Sequence, residues 1–206
     1  MSESWHVPWE TLSSRLVYRN PWLAVREDRV RLPNGRATIY GVVSCGDCVG
    51  ILPFLDPETV LMVRQYRYVA RKVTWEMPTG GVRDGESLED AARRELAEES
   101  GYRAGILEPL TRYHTSKSVV EETAHLFVAR NLSQIASSAN GDETEFIDVQ
   151  AVPFDHVRTM VLDGTITDSM TIVAVLHASL GATSQPVSPQ PTLEADAWLQ
   201  RPDPAG

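Results

Sequence analysis

Residues 48–55 read CVGILPFL, an apolar run with no charged residue and no polar alternation. A strand with one wet face alternates apolar and polar side chains, so an unbroken run of this length predicts a strand covered on both faces. Its surroundings supply the covering layers. Upstream, RLVYR (15–19) and WLAVREDRVRL (22–32) are rich in β-formers, and Pro33-Asn34-Gly35 predicts a hairpin turn into ATIYGVV (37–43). Downstream, the turn Asp56-Pro57-Glu58-Thr59 leads to VLMVRQY (60–66), and VTWEM (73–77) is stopped by Pro78.

A helix follows. Ser87 is a good N-cap with Asp90 three residues on, Gly101 suits the C-terminal stop, and Leu88, Ala92 and Leu96 make a buried stripe. ILEPLTRYHT (106–115) and ETAHLFVAR (122–130) read as strands, 131–145 as a long polar loop, and FIDVQAV (146–152) as a further strand. Two helices close the domain. One runs over 154–163 to Gly164, and the other over 168–180 with Met170, Val173, Ala174, His177 and Leu180 on one face. Strands on either side of a central helix, with two helices at the end, imply an α/β fold with a mixed sheet between helical layers.

The 206 residues suit one ordinary domain with an extension, at 42% hydrophobic and 23% charged content. A net charge of −9 argues against a sequence-independent nucleic-acid binder, and also against an anionic substrate unless cations invert the local field. There is no apolar run of membrane-spanning length, and MSESWHVPWETL lacks the layout of a secretion signal, so the cytoplasm is the expected compartment. Cys45 and Cys48 form a lone C-x2-C; a zinc ribbon needs a second pair, so two structural thiols flanking a Gly46-Asp47 bend are expected. Residues 182–206 hold five of the thirteen prolines and read as a tail.

The helix carries more acid than a helix tolerates cheaply. Glu95, Glu98 and Glu99 stand at i, i+3 and i+4, where like charges cost a few tenths of a kcal/mol per pair. Either arginines compensate, Arg94 reaching Glu98 one turn on, or a cation sits among the carboxylates. A hard divalent ion such as Mg²⁺ takes this kind of oxygen donor.

Spacing narrows the choice. Gly80, Glu86 and Arg94-Glu95-Leu96-x-Glu98-Glu99-x-Gly101-Tyr102 match every specified position of G-x5-E-x7-R-E-U-x-E-E-x-G-U, where U is a bulky apolar residue. The chain thus resembles the Nudix hydrolases. VRQYR (63–67), WEMPTGG (75–81), TSKSVVEE (115–122) and DGTITDSMT (163–171) resemble landmarks of the branch holding ADP-ribose pyrophosphatases and nucleotide-sugar hydrolases.

The resemblance implies an α/β/α sandwich and Mg²⁺-dependent hydrolysis of a nucleoside diphosphate derivative, with Mn²⁺ as a substitute. It implies Glu95, Glu98, Glu99 and the carbonyl of Thr79 as metal ligands, Glu98 among the catalytic residues as well, and Gly80, Glu86 and Arg94 as structural at the site. Gly80 and Gly81 are expected to turn the backbone tightly beside the site. Glu143 in GDETEFIDV, followed by Glu145, and Glu122 are alternative carriers of the catalytic base, and Arg67 is a substrate contact. Lys117 stands where the ADP-ribose subgroup carries proline, which bears on substrate choice and leaves nucleoside and sugar open.

On this reading residues 1–45 form a strand extension that pairs two copies into a homodimer, 46–181 the hydrolase domain and 182–206 the tail. The partner is a small molecule, with neither nucleic acid nor membrane involved. A regulator that binds such a ligand without cleaving it and a diphosphate isomerase on the same fold are the alternatives.

Overall fold

The apolar run becomes β4 (Cys48–Asp56), the central strand of the larger sheet in a computed structural model that describes residues 9–135 and 147–181. Its side chains alternate between two apolar clusters. Val49 and Ile51 pack with Ala91, Ala92 and Leu96 of α1 (Leu88–Ser100), while Leu52 and Phe54 face α2 (Phe154–Leu162) and α3 (Ser169–Ser179). The neighbouring β10 (Thr123–Gln134) divides likewise, Phe127 and Ala129 toward α1 and Ala124, Leu126 and Val128 toward the other helices. Period-two side chains between two helical layers make the expected α/β/α sandwich.

The larger sheet runs β11 (Asp148–Pro153), β5 (Thr59–Arg67), β4, β10, β8 (Tyr102–His114). The sheet is mixed, because β4 and β10 are parallel while β10 with β8 and β5 with β11 are antiparallel. β6 (Lys72–Glu76) pairs with β5, and the short β7 (Thr79–Gly81) with β4. A second sheet holds β1 (Glu10–Arg19), β2 (Ala24–Arg31) and β3 (Ala37–Ser44), joined by β9 (Val120–Glu121) in parallel with β3. Gly35 (φ +82°) closes the expected hairpin between β2 and β3.

Several expectations need correction. β1 begins five residues before 15, and β2 starts at Ala24 because Asn20 and the two residues after Pro21 form a turn on the Asn20 side chain. β10 continues to Gln134 by pairing with Tyr102, so the loop expected over 131–145 starts later; residues 136–146 lie outside the described residues. On α3 the buried residues are Thr171, Ala174 and Val175, whereas Leu180 is 82% exposed. A hydrogen bond from the Met77 backbone N–H to Thr171 Oγ1 (3.0 Å) sets this rotation. No helix among the described residues is long and apolar enough to cross a membrane.

Candidate active site

α1 is set by its ends and its stripe. Ser87 Oγ accepts from the Asp90 N–H at 3.1 Å, and Gly101, left-handed at φ +73°, returns its N–H to Ala97. With Ala91, Ala92 and Leu96 on the sheet, the next positions face β7. Glu99 is 4% exposed, and its Oε2 accepts the Thr79 backbone N–H at 3.0 Å. Glu95 lies over Gly80, where an added Cβ would come within 2.0 Å of its carboxyl carbon. Gly80 and Gly81 therefore do not turn the chain. Both sit in β7, paired with Val49 and Cys48, and Gly80 is small to admit Glu95.

Arg94 stands among the acids. Its Nε and Nη2 bind the two Glu86 oxygens at 2.8 Å each, Nη1 reaches Glu95 and Glu98, and Nη2 also donates to the Gly81 carbonyl at 2.9 Å. Those bonds, aided by the Arg83 backbone N–H and opposed by desolvation, hold the Glu86 carboxyl down at about 2. The like-charge repulsion of the helix is thus offset by an arginine, one of the two solutions its spacing allowed. Among the described residues no three Asp, Glu, His or Cys side chains already converge as a metal cage. The donor chemistry nonetheless suits a hard divalent ion, because carboxylates anchored on Thr79 and fitted over Gly80 offer only oxygen.

Beside β7 opens a cleft of about 330 Å³ lined by Arg67, Glu76, Thr79, Thr167, Asp168 and Met170, among others. Arg67, at the end of β5, grips the buried Glu76 through Nε and Nη2, and that pairing raises its pKa against desolvation. Asp168 caps α3, accepting from Thr171 N at 2.7 Å and Thr171 Oγ1 at 2.6 Å. Sequence reasoning passed over Glu76, Asp168 and Thr171. The signals were an acid at an inward strand position between Trp75 and Met77, and an Asp three residues before a Thr at a helix start.

Glu122 lies between β9 and β10, its backbone carbonyl accepting from Thr115 N at 3.3 Å. Burial, then its charge together with those of Asp47 and Asp168, pushes the Cys48 thiol up to about 12. Cys48 Sγ in turn lies 3.9 Å from Met170 Sδ. Lys117 is exposed in a turn that Ser116 Oγ closes by accepting from Val119 N at 3.2 Å. Glu143 and Glu145 lie outside the described residues. Cys45 and Cys48 are free thiols on either side of the β3–β4 bend, Cys48 opening β4, and Gly46 between them adopts φ +79°.

Comparison with known proteins decides the family. Residues 46–170 match the NUDIX domain, and residues 9–43 match the nucleoside diphosphate sugar hydrolase N-terminal domain. The chain belongs to the Nudix family. Among its relatives, a methanol dehydrogenase activator of Bacillus methanolicus is 31% identical over 83% of this chain and 92% of its own. An ADP-ribose pyrophosphatase of Bacillus subtilis (strain 168) is 30% identical over the same shares, 83% and 92%. A crystal structure of an ADP compounds hydrolase superposes with a TM-score of 0.75 at 23% identity, covering 84% of this chain and 93% of that one, which shows the Nudix fold. As a Nudix hydrolase of the ADP-ribose and nucleotide-sugar pyrophosphatase type, the chain falls in a class that generally uses a divalent metal.

Proposed function

We propose that this Nudix enzyme is a Mg²⁺-dependent pyrophosphohydrolase of nucleoside diphosphate sugars, with ADP-ribose the first substrate to test. The observation that carries the reading is the meeting of Glu95 and Glu99 at Thr79 and Gly80, beside a cleft holding Arg67. Glu95, Glu98, Glu99 and the Thr79 carbonyl would hold Mg²⁺, or Mn²⁺ in its place. When bound, the ion neutralises the diphosphate and acidifies water.

The chain's own residues do the rest. Arg67, oriented by Glu76, offers its remaining N–H groups to phosphate oxygens in the cleft. Lys117, exposed in its turn, bears on which sugar is accepted. Arg94 and Glu86 keep the acidic helix and the loop before it in register. A carboxylate, Glu122 or Glu143, takes the proton of the attacking water. Water adds to one phosphorus while the bridging oxygen leaves with the other phosphate, giving two phosphomonoesters.

The N-terminal sheet is read as the dimerisation element of residues 1–45. Trp9, just before β1, and Leu16, Val17, Tyr18 and Ile39 within the sheet leave large apolar side chains exposed, surface that a second copy would cover. Residues 46–181 are the hydrolase domain and 182–206 the tail, in a cytoplasmic enzyme. A second reading, a ligand-binding modulator of another enzyme, draws on the relative named as an activator.

A hydrolysis screen with Mg²⁺ over ADP-ribose, other nucleotide sugars, CDP-alcohols and dinucleotides tests the proposal. Phosphomonoester release from a nucleotide sugar supports it. Binding without product supports the modulator, and rearrangement without phosphate release an isomerase. Glu143→Gln and Glu122→Gln, assayed in parallel, assign the base to whichever lowers kcat with Mg²⁺ binding intact, and Lys117→Pro tests the choice of sugar.

A further inference from the structure

We propose that Arg26 is a positioning residue for the reaction: by holding Glu121 it aims the adjacent Glu122 at the site, making the N-terminal sheet part of the active-site machinery. This rests on the reading of Glu122 as an acid acting at the diphosphate. β9 is only two residues long, joined to β3 by the pairs Val43↔Val120 and Ser44↔Glu121 and by a bond from Val43 N to the Val119 carbonyl (2.8 Å). So short a strand is weakly held by its backbone alone.

Side chains supply the rest. Arg26 Nη1 donates to Glu121 Oε2 at 2.6 Å and to Ser44 Oγ at 3.2 Å, while Ser44 Oγ donates to Glu121 Oε2 at 2.6 Å. Arg26 Nε donates to Asp28 Oδ2 at 3.1 Å, and Asp28 accepts from Ser14. The network therefore touches all four strands of the sheet. Burial raises the Glu121 carboxyl, but Arg26 and Ser44 outweigh it and hold the group below the ordinary range.

Arg26, with a side chain only 19% exposed, and the buried Asp28 are desolvated at a cost that an apolar cluster would avoid, and register is the best-attested use of such networks. Here the register concerns the next residue. In extended backbone successive side chains point to opposite faces, so a Glu121 fixed toward Arg26 turns Glu122 the other way. The backbone just after Glu122 adjoins the cleft wall: Cys48 Sγ lies 3.8 Å from the Thr123 carbonyl and 3.9 Å from Sδ of the cleft residue Met170, and both Cys48 and Tyr113 sense the Glu122 charge. The Glu122 carbonyl also accepts from Thr115 N at 3.3 Å, closing the 115–122 segment at its base.

The test measures kcat and KM for ADP-ribose with Mg²⁺ in Arg26→Met and Arg26→Lys, each alone and combined with Glu122→Gln. A second readout is the alkylation rate of Cys48 in a Cys45→Ser background. The expected result is a kcat loss of about 10–100-fold for Arg26→Met, the scale seen for outer groups that orient a reacting one, with KM nearly unchanged. Arg26→Lys should recover part of it, and in Glu122→Gln the Arg26→Met change should cost nothing further. Cys48 alkylation should quicken as the Glu122 charge moves off the thiol.

Equal losses with and without Glu122, or unchanged kcat and alkylation, overturn the proposal. Quickened alkylation with unchanged kcat keeps the positioning of Glu122 and removes its part in the reaction. If a variant melts below assay temperature, Ser44→Ala, which removes one Glu121 bond and keeps the ion pair, gives the same comparison.

Discussion

The carboxylate of Glu95 occupies the space that any side chain at Gly80 would need, with an added Cβ only 2.0 Å from its carboxyl carbon. Glu95 belongs to a capped helix packed on the sheet, so the acid moves before the backbone does. Gly80→Ala is expected to lower kcat by about 10²–10³-fold, the scale of losing a transition-state-stabilising group, and to destabilise by about 1–3 kcal/mol as an overpacked site. Steady-state assay with ADP-ribose and calorimetry measure the two effects. An alanine variant with wild-type turnover would contradict the placement of Glu95 at the reacting centre.

Glu99 separates charge from architecture. Glutamine can still accept the Thr79 N–H, so Glu99→Gln should melt close to wild type while kcat falls by about 10²–10³-fold. Glu99→Ala leaves that N–H without its acceptor and should cost about 1–3 kcal/mol in addition. Thermal melts beside kinetics distinguish the pair. Equal melting of the two variants would mean the Thr79 bond contributes nothing to stability.

The Glu86–Arg94 pair predicts an acid limb in stability. Its carboxyl titrates at about 2 in the folded chain against 4.5 as the unperturbed value, because Arg94 binds the ionised form. A depressed folded pKa gives stability that is complete above the unfolded value and is lost as pH falls from there through the folded one. The melting difference between wild type and Glu86→Gln should therefore be flat above about pH 5 and shrink toward about pH 2. A difference that grows on acidification would refute the assignment.

Thr171 ties α3 to the link between β6 and β7. It is fully buried, accepts from Met77 N and donates to the capping Asp168. Thr171→Val keeps the shape but orphans a buried N–H, at about 1–3 kcal/mol, lowering Tm by roughly 2–4 °C per kcal/mol in a domain of this size. Since Asp168 and Met170 line the cleft, KM for ADP-ribose should rise as well. Unchanged Tm and KM together would show that the link is incidental.

What the sequence determined by itself lies in short-range physics. The unbroken run at 48–55 required cover on both faces, Ser87 and Gly101 marked the ends of α1, and the spacing from Gly80 to Tyr102 marked the family. The caps depend on interactions within a turn of chain, and the run and the motif are read from residue identity and spacing alone. Tertiary structure alone decided that Arg94 also grips Glu86 and the Gly81 carbonyl, that Gly80 is small for Glu95, and that α3 buries Thr171 rather than Leu180. It alone brought Arg26 to Glu121, 95 residues further along. Such contacts exist only once the sheets close, because nothing in the local pattern of either partner specifies which distant group will fill its remaining hydrogen bonds.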